Sequence, residues 1–152
     1  MPEKEFKKVF QLLASKCSKK ELSTNEALQY IAKFKLKMVD KHRLINQLKK
    51  DNYINHERYA SAFTHDRFNF YKWGKLKIKY HLLQKGIEED YVDNALNAID
   101  YSTYKSLVEE EANKKHLAMG SPKDFKSKQK LSKYLNQKGF EGELIFEIVE
   151  NL

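Results

Sequence analysis

Leu82-Leu83-Gln84-Lys85-Gly86-Ile87 recurs later in the chain as Leu135-Asn136-Gln137-Lys138-Gly139-Phe140. Each copy ends a segment with helical spacing, and each is followed by an acidic stretch with a late apolar pair, Ala95-Leu96 or Ile148-Val149. Glycine commonly follows a helix because it adopts the left-handed conformation that ends the helix without steric cost. A period of about 50 residues therefore predicts a unit of three helices that stacks on its neighbours.

A weaker copy lies upstream, where Ile31, Leu36 and Leu44-Ile45 fall at matching positions and Lys35 stands in place of the glycine. We therefore predict an all-α fold of about nine helices, built as tandem three-helix repeats in a single domain, 1–152. Its predicted parts are a leading helix and cap (1–23), a first repeat (24–72), a second repeat (73–120) and a partial third repeat (121–152). Stacked repeats contact mainly their neighbours, so we expect an elongated, curved body, crescent-shaped or bent at a right angle.

The starts of individual helices are predicted from capping residues. Apolar residues recur at helical intervals from residue 3 to 15, and Thr24 is predicted to cap the following helix. After the loop at Gly120, Ser121 is predicted as an N-cap and Pro122 as the first residue of a new helix. These assignments predict that helices start at about residue 24 and at Pro122.

The segment 75–85 is ambiguous. Every second residue is apolar and alternates with lysine, which is typical of a strand, yet Ile78, Leu82 and Leu83 also have helical spacing. An isolated strand would have no pairing partner in a chain otherwise made of helices. We predict a helix here, ended by Gly86.

Composition limits the class of protein. Of the 152 residues, 41% are hydrophobic, which is enough for a core, and five glycines with two prolines leave little material for the turns of an all-β fold. Cys17 is the only cysteine, so no internal disulfide is possible and a cytoplasmic location is expected. The N-terminal residues lack the apolar run of a signal peptide, and no stretch is apolar enough to span a bilayer. We expect a monomer without a membrane anchor.

The net charge of +8 comes almost entirely from lysine, because only Arg43, Arg58 and Arg67 carry a guanidinium. Lysine acts as a point charge rather than as a bidentate fork. The excess suits an anionic partner recognised through its field, such as nucleic acid or an acidic protein groove. The alternative is that the charge serves solubility alone.

Two groups of basic residues are candidate partner-binding surfaces. The first is a stripe on the helix expected after Pro122, whose apolar residues, Phe125 among them, are assigned to the core. It consists of Lys123, Lys126, Lys130 and Lys133. The second group surrounds Trp73 and consists of Arg67, Lys72, Lys75, Lys77 and Lys79. A solvated helix face is the alternative for the stripe, and a structural wedge between repeats is the favoured interpretation of Trp73. Arg58 either contacts the partner or pairs with an internal carboxylate, and the internal role is favoured.

No pattern in the sequence indicates catalysis or a cofactor. The five histidines are dispersed, no HExxH motif occurs, and a single cysteine cannot build a structural zinc site of the usual spacing. No glycine-rich phosphate loop is present, and Cys17 has no histidine near it in sequence. We therefore expect a protein that is not an enzyme, with no cofactor and no bound metal.

The run Asn52-Tyr53-Ile54-Asn55-His56-Glu57-Arg58-Tyr59-Ala60-Ser61-Ala62-Phe63, continuing through Asp66-Arg67-Phe68 to Lys72-Trp73-Gly74, resembles the RecX family, as does Lys77-Ile78 followed by Leu82 and Lys85-Gly86-Ile87. The chain departs from the family at Asn55, where an acidic residue is common, and at Lys35, where a glycine is common. The residues that carry the family signature are Tyr53, Ile54, Arg58, Tyr59, Phe63, Trp73, Gly74, Gly86 and Gly139.

The resemblance implies a regulator of the RecA recombinase. Proteins of this family are bent rods of three-helix repeats that lie in the groove of the RecA–DNA filament and hinder strand exchange, coprotease activity and ATP turnover. The resemblance therefore predicts an inhibitor whose partner is the RecA filament, with DNA contacted directly or within that filament. The alternative is a helical-repeat protein that binds DNA itself and affects recombination indirectly. A hydrolase or nuclease has no support among the residues.

Overall fold

A computed structural model of the chain describes residues 3–152, and every regular element in this part is an α-helix. The prediction of an all-α fold is therefore confirmed. The nine helices of the described chain are α1 (Glu3–Lys19), α2 (Thr24–Ile31), α3 (Met38–Lys50), α4 (His56–Asn69), α5 (Lys75–Gln84), α6 (Glu89–Asn97), α7 (Tyr101–Ala118), α8 (Phe125–Gln137) and α9 (Gly142–Glu150).

The helices pack as three triplets, α1–α3, α4–α6 and α7–α9, and within each triplet every helix contacts the other two. This grouping is one helix out of phase with the predicted units 24–72, 73–120 and 121–152. Helix α1 belongs to the first triplet instead of standing alone as a cap, and the third triplet is complete. The glycine motif marks the end of the second helix of a unit, so it gives the period of the repeat without saying where a unit begins.

Helix α2 is capped by Ser23, so the prediction of Thr24 as the N-cap is wrong by one residue. The Ser23 hydroxyl accepts the Glu26 N–H at 3.1 Å, and the Glu26 carboxylate accepts the Ser23 N–H at 3.0 Å. This reciprocal capping box satisfies two of the amide donors that a helix start leaves without partners.

The predicted start of α8 is also wrong. Ser121 has a φ of 56° and belongs to the turn that ends α7, where its N–H donates to the His116 carbonyl at 2.9 Å. Helix α8 begins only at Phe125, after Asp124, whose carboxylate accepts the Ser127 N–H at 3.2 Å. A residue in the left-handed conformation cannot act as an N-cap, which needs extended backbone angles.

Helix α5 confirms the prediction of a helix over 75–85. Ile78 and Leu82 are fully buried on one side, whereas Leu76, Tyr80 and Leu83 are exposed on the other. The strand-like alternation therefore arises from a helix that carries apolar residues on two opposite sides.

The buried residues form two separate hydrophobic clusters. One lies within the first triplet and includes Val9, Leu13, Ile31, Leu44 and Leu48. The other runs without interruption through α4–α9 and includes Ile78, Leu82, Tyr104, Leu131 and Phe140. No helix between residues 3 and 152 is long and apolar enough to cross a membrane.

Candidate partner-binding surfaces

The second and third triplets meet where two backbones touch, and we call these contacts the second joint. The Gly74 N–H donates to the Lys138 carbonyl at 2.7 Å, and the Leu76 N–H donates to the Gly139 carbonyl at 3.0 Å. A Cβ atom on Gly74 would lie 2.3 Å from the Gly139 carbonyl carbon, and one on Gly139 would lie 2.3 Å from the Lys77 Cβ. Because backbone cannot move aside as a flexible side chain can, both positions require glycine.

Tyr104 on α7 completes the second joint. Its hydroxyl accepts the Lys75 N–H at 3.0 Å and donates to the Glu141 carboxylate. Burial, reinforced by the bond to Glu141, raises the pKa of Tyr104 above its ordinary value, so the phenol stays protonated and keeps its donor. One side chain thus ties the first turn of α5 to the start of α9.

The first and second triplets meet mainly through side chains, and we call these contacts the first joint. The Arg58 Nε donates to the Glu21 carboxylate at 2.7 Å, and its guanidinium also donates to the Asn52 and Tyr53 carbonyls. Arg58 is therefore an internal residue, as favoured from the sequence. Its partner comes from the preceding triplet and not from its own helix.

His56 extends the first joint. Its Nε2 lies 3.0 Å from the Thr24 backbone nitrogen, which donates to it, and its Nδ1 lies 2.8 Å from a Glu88 carboxylate oxygen. Burial raises the pKa of Glu88, but the hydrogen bonds from its own backbone and from His56 outweigh burial and leave this pKa below its ordinary value. The ring of His56 is thereby held between the start of α2 and the start of α6.

Glu26 is the third carboxylate of the first joint. It accepts a hydrogen bond from Tyr59 and lies 3.7 Å from the Lys85 ammonium. Burial opposes ionisation of Glu26, but its hydrogen bonds to Ser23 and Tyr59 lower its pKa below the ordinary value. Burial, then the charge of Glu26, raises the pKa of Tyr59. The pair therefore holds a charged carboxylate against a neutral phenol.

The remaining contact of the first joint is made beside Gly86. The Asn25 side-chain amide donates to the Lys85 carbonyl at 3.2 Å, and a Cβ on Gly86 would lie 2.5 Å from this amide nitrogen. Gly86 also has a φ of 81°. Unlike the backbone contact at the second joint, the obstacle here is the end of a flexible side chain.

Two further signature residues contribute to the hydrophobic cluster of the first triplet or pack against it. Ile54 is buried in it, and Tyr53 packs edge-to-face on Phe10 with ring centroids 5.9 Å apart. Phe63 and Trp73 belong instead to a group on the surface of the second triplet, described next.

Trp73 lies within a cluster of aromatic rings and cations, which we call the Trp73 cluster: Phe63, Arg67, Tyr71, Trp73, Lys77 and His81. The Arg67 guanidinium lies 4.5 Å from the centre of the Phe63 ring and 5.3 Å from that of Trp73, and it pairs with Asp66. The Lys77 ammonium lies 4.6 Å from the centre of Trp73. The indole is therefore enclosed by the chain's own cations, which favours a structural role over an open stacking platform. These rings and cations all belong to the second triplet, so Trp73 is not placed between two triplets as the predicted wedge would be.

The other lysines predicted around Trp73 are also engaged within the chain. Lys79 pairs with Asp93 at 3.1 Å, Lys75 lies over the Tyr104 ring at 4.8 Å, and Lys72 donates to the Asn69 carbonyl at 2.6 Å. Of this predicted group, Lys72, Lys75 and Lys77 have no carboxylate partner within residues 3–152.

The four lysines near α8 differ from this group, and we call them the α8 lysine surface: Lys123, Lys126, Lys130 and Lys133. All four are exposed, and none forms an ion pair within the described chain. Lys126, Lys130 and Lys133 follow helical spacing on one side of α8, whereas Lys123 precedes the helix. Phe125, assigned to the core from the sequence, is instead 73% exposed beside them. It is the first residue of α8, six positions before Leu131, the first buried residue of that helix.

Two observations bear on metal binding and on nucleophilic catalysis. Among residues 3–152, no group of three His, Cys, Asp or Glu side chains is arranged to hold a metal ion. Burial, with a smaller contribution from the Glu21 charge, raises the pKa of the Cys17 thiol, so the thiolate needed for nucleophilic attack is disfavoured.

The joint residues Glu21, Glu26, Glu88 and Tyr104 are absent from the sequence-based set. A signal for one of them exists, because Tyr59 and Tyr104 both occupy the fourth position of the first helix in their triplet. Placing α4 and α7 in register reveals this pair. The carboxylates carry no such signal, because their partners lie far away in sequence.

Triplets that repeat, each held to the next through the N-terminal turn of a second helix, define a helical-repeat protein whose contacts run between neighbours. The chain matches two family models, described as the second three-helix domain of RecX over residues 55–96 and the third three-helix domain of RecX over residues 104–149. These matches coincide with α4–α6 and α7–α9, and the chain belongs to the RecX family.

Relatives agree with this assignment, and a solved structure agrees with the fold. The chain is 33% identical to the regulatory protein RecX of Clostridium acetobutylicum, over 72% of this chain and 52% of that protein. It is 28% identical to the regulatory protein RecX of Streptococcus agalactiae, over 88% of this chain and 51% of the relative, so it spans about half the length of these relatives. The crystal structure of RecX from Lactobacillus salivarius superposes with a TM-score of 0.88 at 20% identity, covering 99% of this chain and 97% of that one.

Proposed function

We propose that this chain is a non-enzymatic regulator of the RecA recombinase that binds in the groove of the RecA–DNA filament. In that position it acts as an inhibitor, hindering strand exchange, coprotease activity and ATP turnover. Two facts support the proposal: the chain belongs to the RecX family, and its relatives are named regulatory proteins. The observation that carries it is the α8 lysine surface, where four exposed lysines are left without an internal carboxylate.

Free lysines of this kind suit the phosphates of a nucleoprotein filament. A lysine that neutralises a phosphate releases a condensed counterion, so each contact steepens the loss of affinity with rising salt. The lysines around Trp73 are less suited, because their charges are already directed at aromatic rings or carboxylates of the same chain. We therefore assign the larger share of filament binding to α8.

The test is a titration of the DNA-dependent ATPase of a cognate RecA with this protein. Reversing Lys123, Lys126, Lys130 and Lys133 to Glu should weaken inhibition at least tenfold and reduce its salt dependence, because four phosphate contacts are lost. The matched control reverses four exposed lysines of α1, namely Lys4, Lys7, Lys8 and Lys19. It changes the net charge equally and should inhibit nearly as the parent does. Equal weakening by both variants would mean that only the overall charge matters.

A second candidate function is direct binding to DNA with an indirect effect on recombination. The α8 lysine surface also favours this function, because lysine charges suit the phosphates of DNA of any base sequence. Such binding does not need RecA on the DNA. Equilibrium binding to bare single-stranded DNA, bare duplex and RecA–DNA filaments at physiological salt separates the two functions. The regulator should prefer the filament strongly, whereas equal affinities support the second candidate.

A further inference from the structure

The outer side of α5 is apolar although it faces solvent. Leu76, Tyr80 and Leu83 follow the spacing i, i+4, i+7 and are 53%, 59% and 41% exposed. They form a line about 10 Å long, opposite the buried Ile78 and Leu82. We call these three residues the α5 outer stripe. Single exposed apolar residues are ordinary, but three in one line on a helix are typical of a docking face.

The repeat itself shows that the fold does not require this stripe. The corresponding residues of the first triplet, aligned through the glycine motif, are Asn25 and Gln29 of α2 and Ala32 at its C-cap, and those of α8 are Gln129, Lys133 and Asn136. These helices occupy the same place in their own triplets, yet none of the aligned positions carries a large apolar residue, and the exposed Phe125 at the start of α8 has no apolar neighbour in line with it. The apolar stripe is therefore particular to the middle triplet.

The borders of the stripe differ in charge. On one side lies the Trp73 cluster with Lys77, and Lys72 lies just before the helix; neither lysine has a carboxylate partner within residues 3–152. On the other side, Lys79 is neutralised by Asp93 and Glu89. A complementary surface is apolar along its centre and acidic along the one edge that meets Lys72 and Lys77.

We propose that the α5 outer stripe binds an amphipathic segment of the protein subunits in the filament, apolar in its centre and acidic along the edge next to the Trp73 cluster. This inference rests on the proposed function, and it divides the work between two surfaces. The α8 lysine surface meets phosphates, and the α5 outer stripe meets protein. A second copy of this chain is a poorer occupant, because two such helices would bring their lysines together in a molecule that already carries a net charge of +8.

The test replaces the stripe with the residues that the first triplet has at the same positions: Leu76→Asn, Tyr80→Gln and Leu83→Ala. The net charge is unchanged, and the exposed sites should leave helix content and the urea midpoint close to those of the parent. Affinity is measured for RecA filaments on single-stranded DNA and for the same DNA alone. We expect at least a tenfold loss for filaments and no more than a twofold change for bare DNA. The control Phe146→Gln alters an exposed apolar residue of α9 and should bind filaments as the parent does.

A single-site pair tests the acidic edge. The exposed Tyr80 lies on the Lys77 side of the stripe, so Tyr80→Glu and Tyr80→Lys are compared. Both remove the apolar contact, but Glu also repels an acidic partner, so its filament affinity should be several-fold lower than that of Lys. Filament affinity unchanged in the triple variant overturns the inference and leaves the proposed function standing. Equal losses on filaments and bare DNA overturn it in favour of nucleic acid on the stripe. If the parent chain binds no filament, the proposed function and this inference fail together.

Discussion

The two joints connect the same parts of neighbouring triplets by different means. In each, a glycine after the second helix and a tyrosine on the first helix meet the N-terminal turn of the preceding triplet's second helix. At the second joint, Gly139 and Tyr104 make backbone contacts inside a core shared by α4–α9. At the first joint, Gly86 and Tyr59 lie among charged side chains, and the two cores remain separate. One repeat thus gives a continuous body of six helices and a first triplet attached largely by electrostatics.

The first triplet shows which of these features belong to joints. At the positions that correspond to the tyrosine and the glycine it has Phe6 and Lys35, and neither makes a joint within the described chain. Phe6 is still buried, beneath the Arg43 guanidinium at 3.8 Å. The aromatic ring therefore serves the core of a triplet, whereas the hydroxyl and the glycine serve its contact with another.

The strongest way to break the second joint is Gly139→Ala. The new Cβ meets Lys77 at 2.3 Å, and the residue has a φ of 95°, which an L-amino acid rarely adopts. Strain and overpacking together should lower the free energy of unfolding by about 3–5 kcal/mol. Urea denaturation followed by circular dichroism measures this loss.

Two other glycines separate the causes of that loss. Gly120 has a φ of 88°, but a Cβ atom added there would have no neighbour within 4 Å, so Gly120→Ala should show only the conformational cost of about 1–2 kcal/mol. Gly142 has neither strain nor neighbours and lies in α9, so Gly142→Ala should be neutral or slightly stabilising. A Gly139→Ala loss no larger than that of Gly120→Ala would contradict the close approach of the two backbones.

The second joint also shows which features of the structure could be predicted from the sequence. Its glycines and the three-helix period could be predicted, because a glycine after a helix is a local signal that recurs at matching positions. The partner of Gly139 could not, because a backbone-to-backbone contact with Gly74 depends on how triplets stack. The boundaries of the triplets could not be predicted either, because the first triplet has Phe6 and Lys35 at the positions where the later triplets have the tyrosine and the glycine.

The candidate surfaces show the same limit. The spacing of Lys126, Lys130 and Lys133 correctly predicts one helix face. It cannot tell free lysines from those that an aromatic ring or a carboxylate engages, because Lys77 and Lys79 look alike in sequence while one lies over Trp73 and the other pairs with Asp93. The α5 outer stripe was visible only as an ambiguous alternation.

The first joint should respond to Arg58→Ala with a smaller and more local effect. The change removes the bond to Glu21 and those to the Asn52 and Tyr53 carbonyls. Arg58 and Glu21 are both partly exposed, so solvent screening limits the loss in the free energy of unfolding to about 1 kcal/mol. Because the cores are separate, hydrogen exchange should quicken in α1–α3 and stay unchanged in α4–α9.

Lys105→Ala, which breaks the exposed pair with Glu147 inside the third triplet, should leave both regions unchanged. Uniform quickening in Arg58→Ala would mean that the chain unfolds as one unit.

Lowering the pH should destabilise the first joint before the second. We expect this effect on stability to be smaller than that of Arg58→Ala. The folded chain holds the pKa values of Glu26 and Glu88 below their ordinary values, so these groups stabilise the fold above an unfolded pKa of about 4.3. That contribution is lost as the pH falls through the lower, folded pKa values. Exchange in α1–α3, corrected for its intrinsic pH dependence, should therefore rise below about pH 4. The double variant Glu26→Gln and Glu88→Gln should flatten this rise, because it lacks the carboxylates whose protonation causes it. A rise of equal size in the variant would assign the acid response to carboxylates outside the first joint.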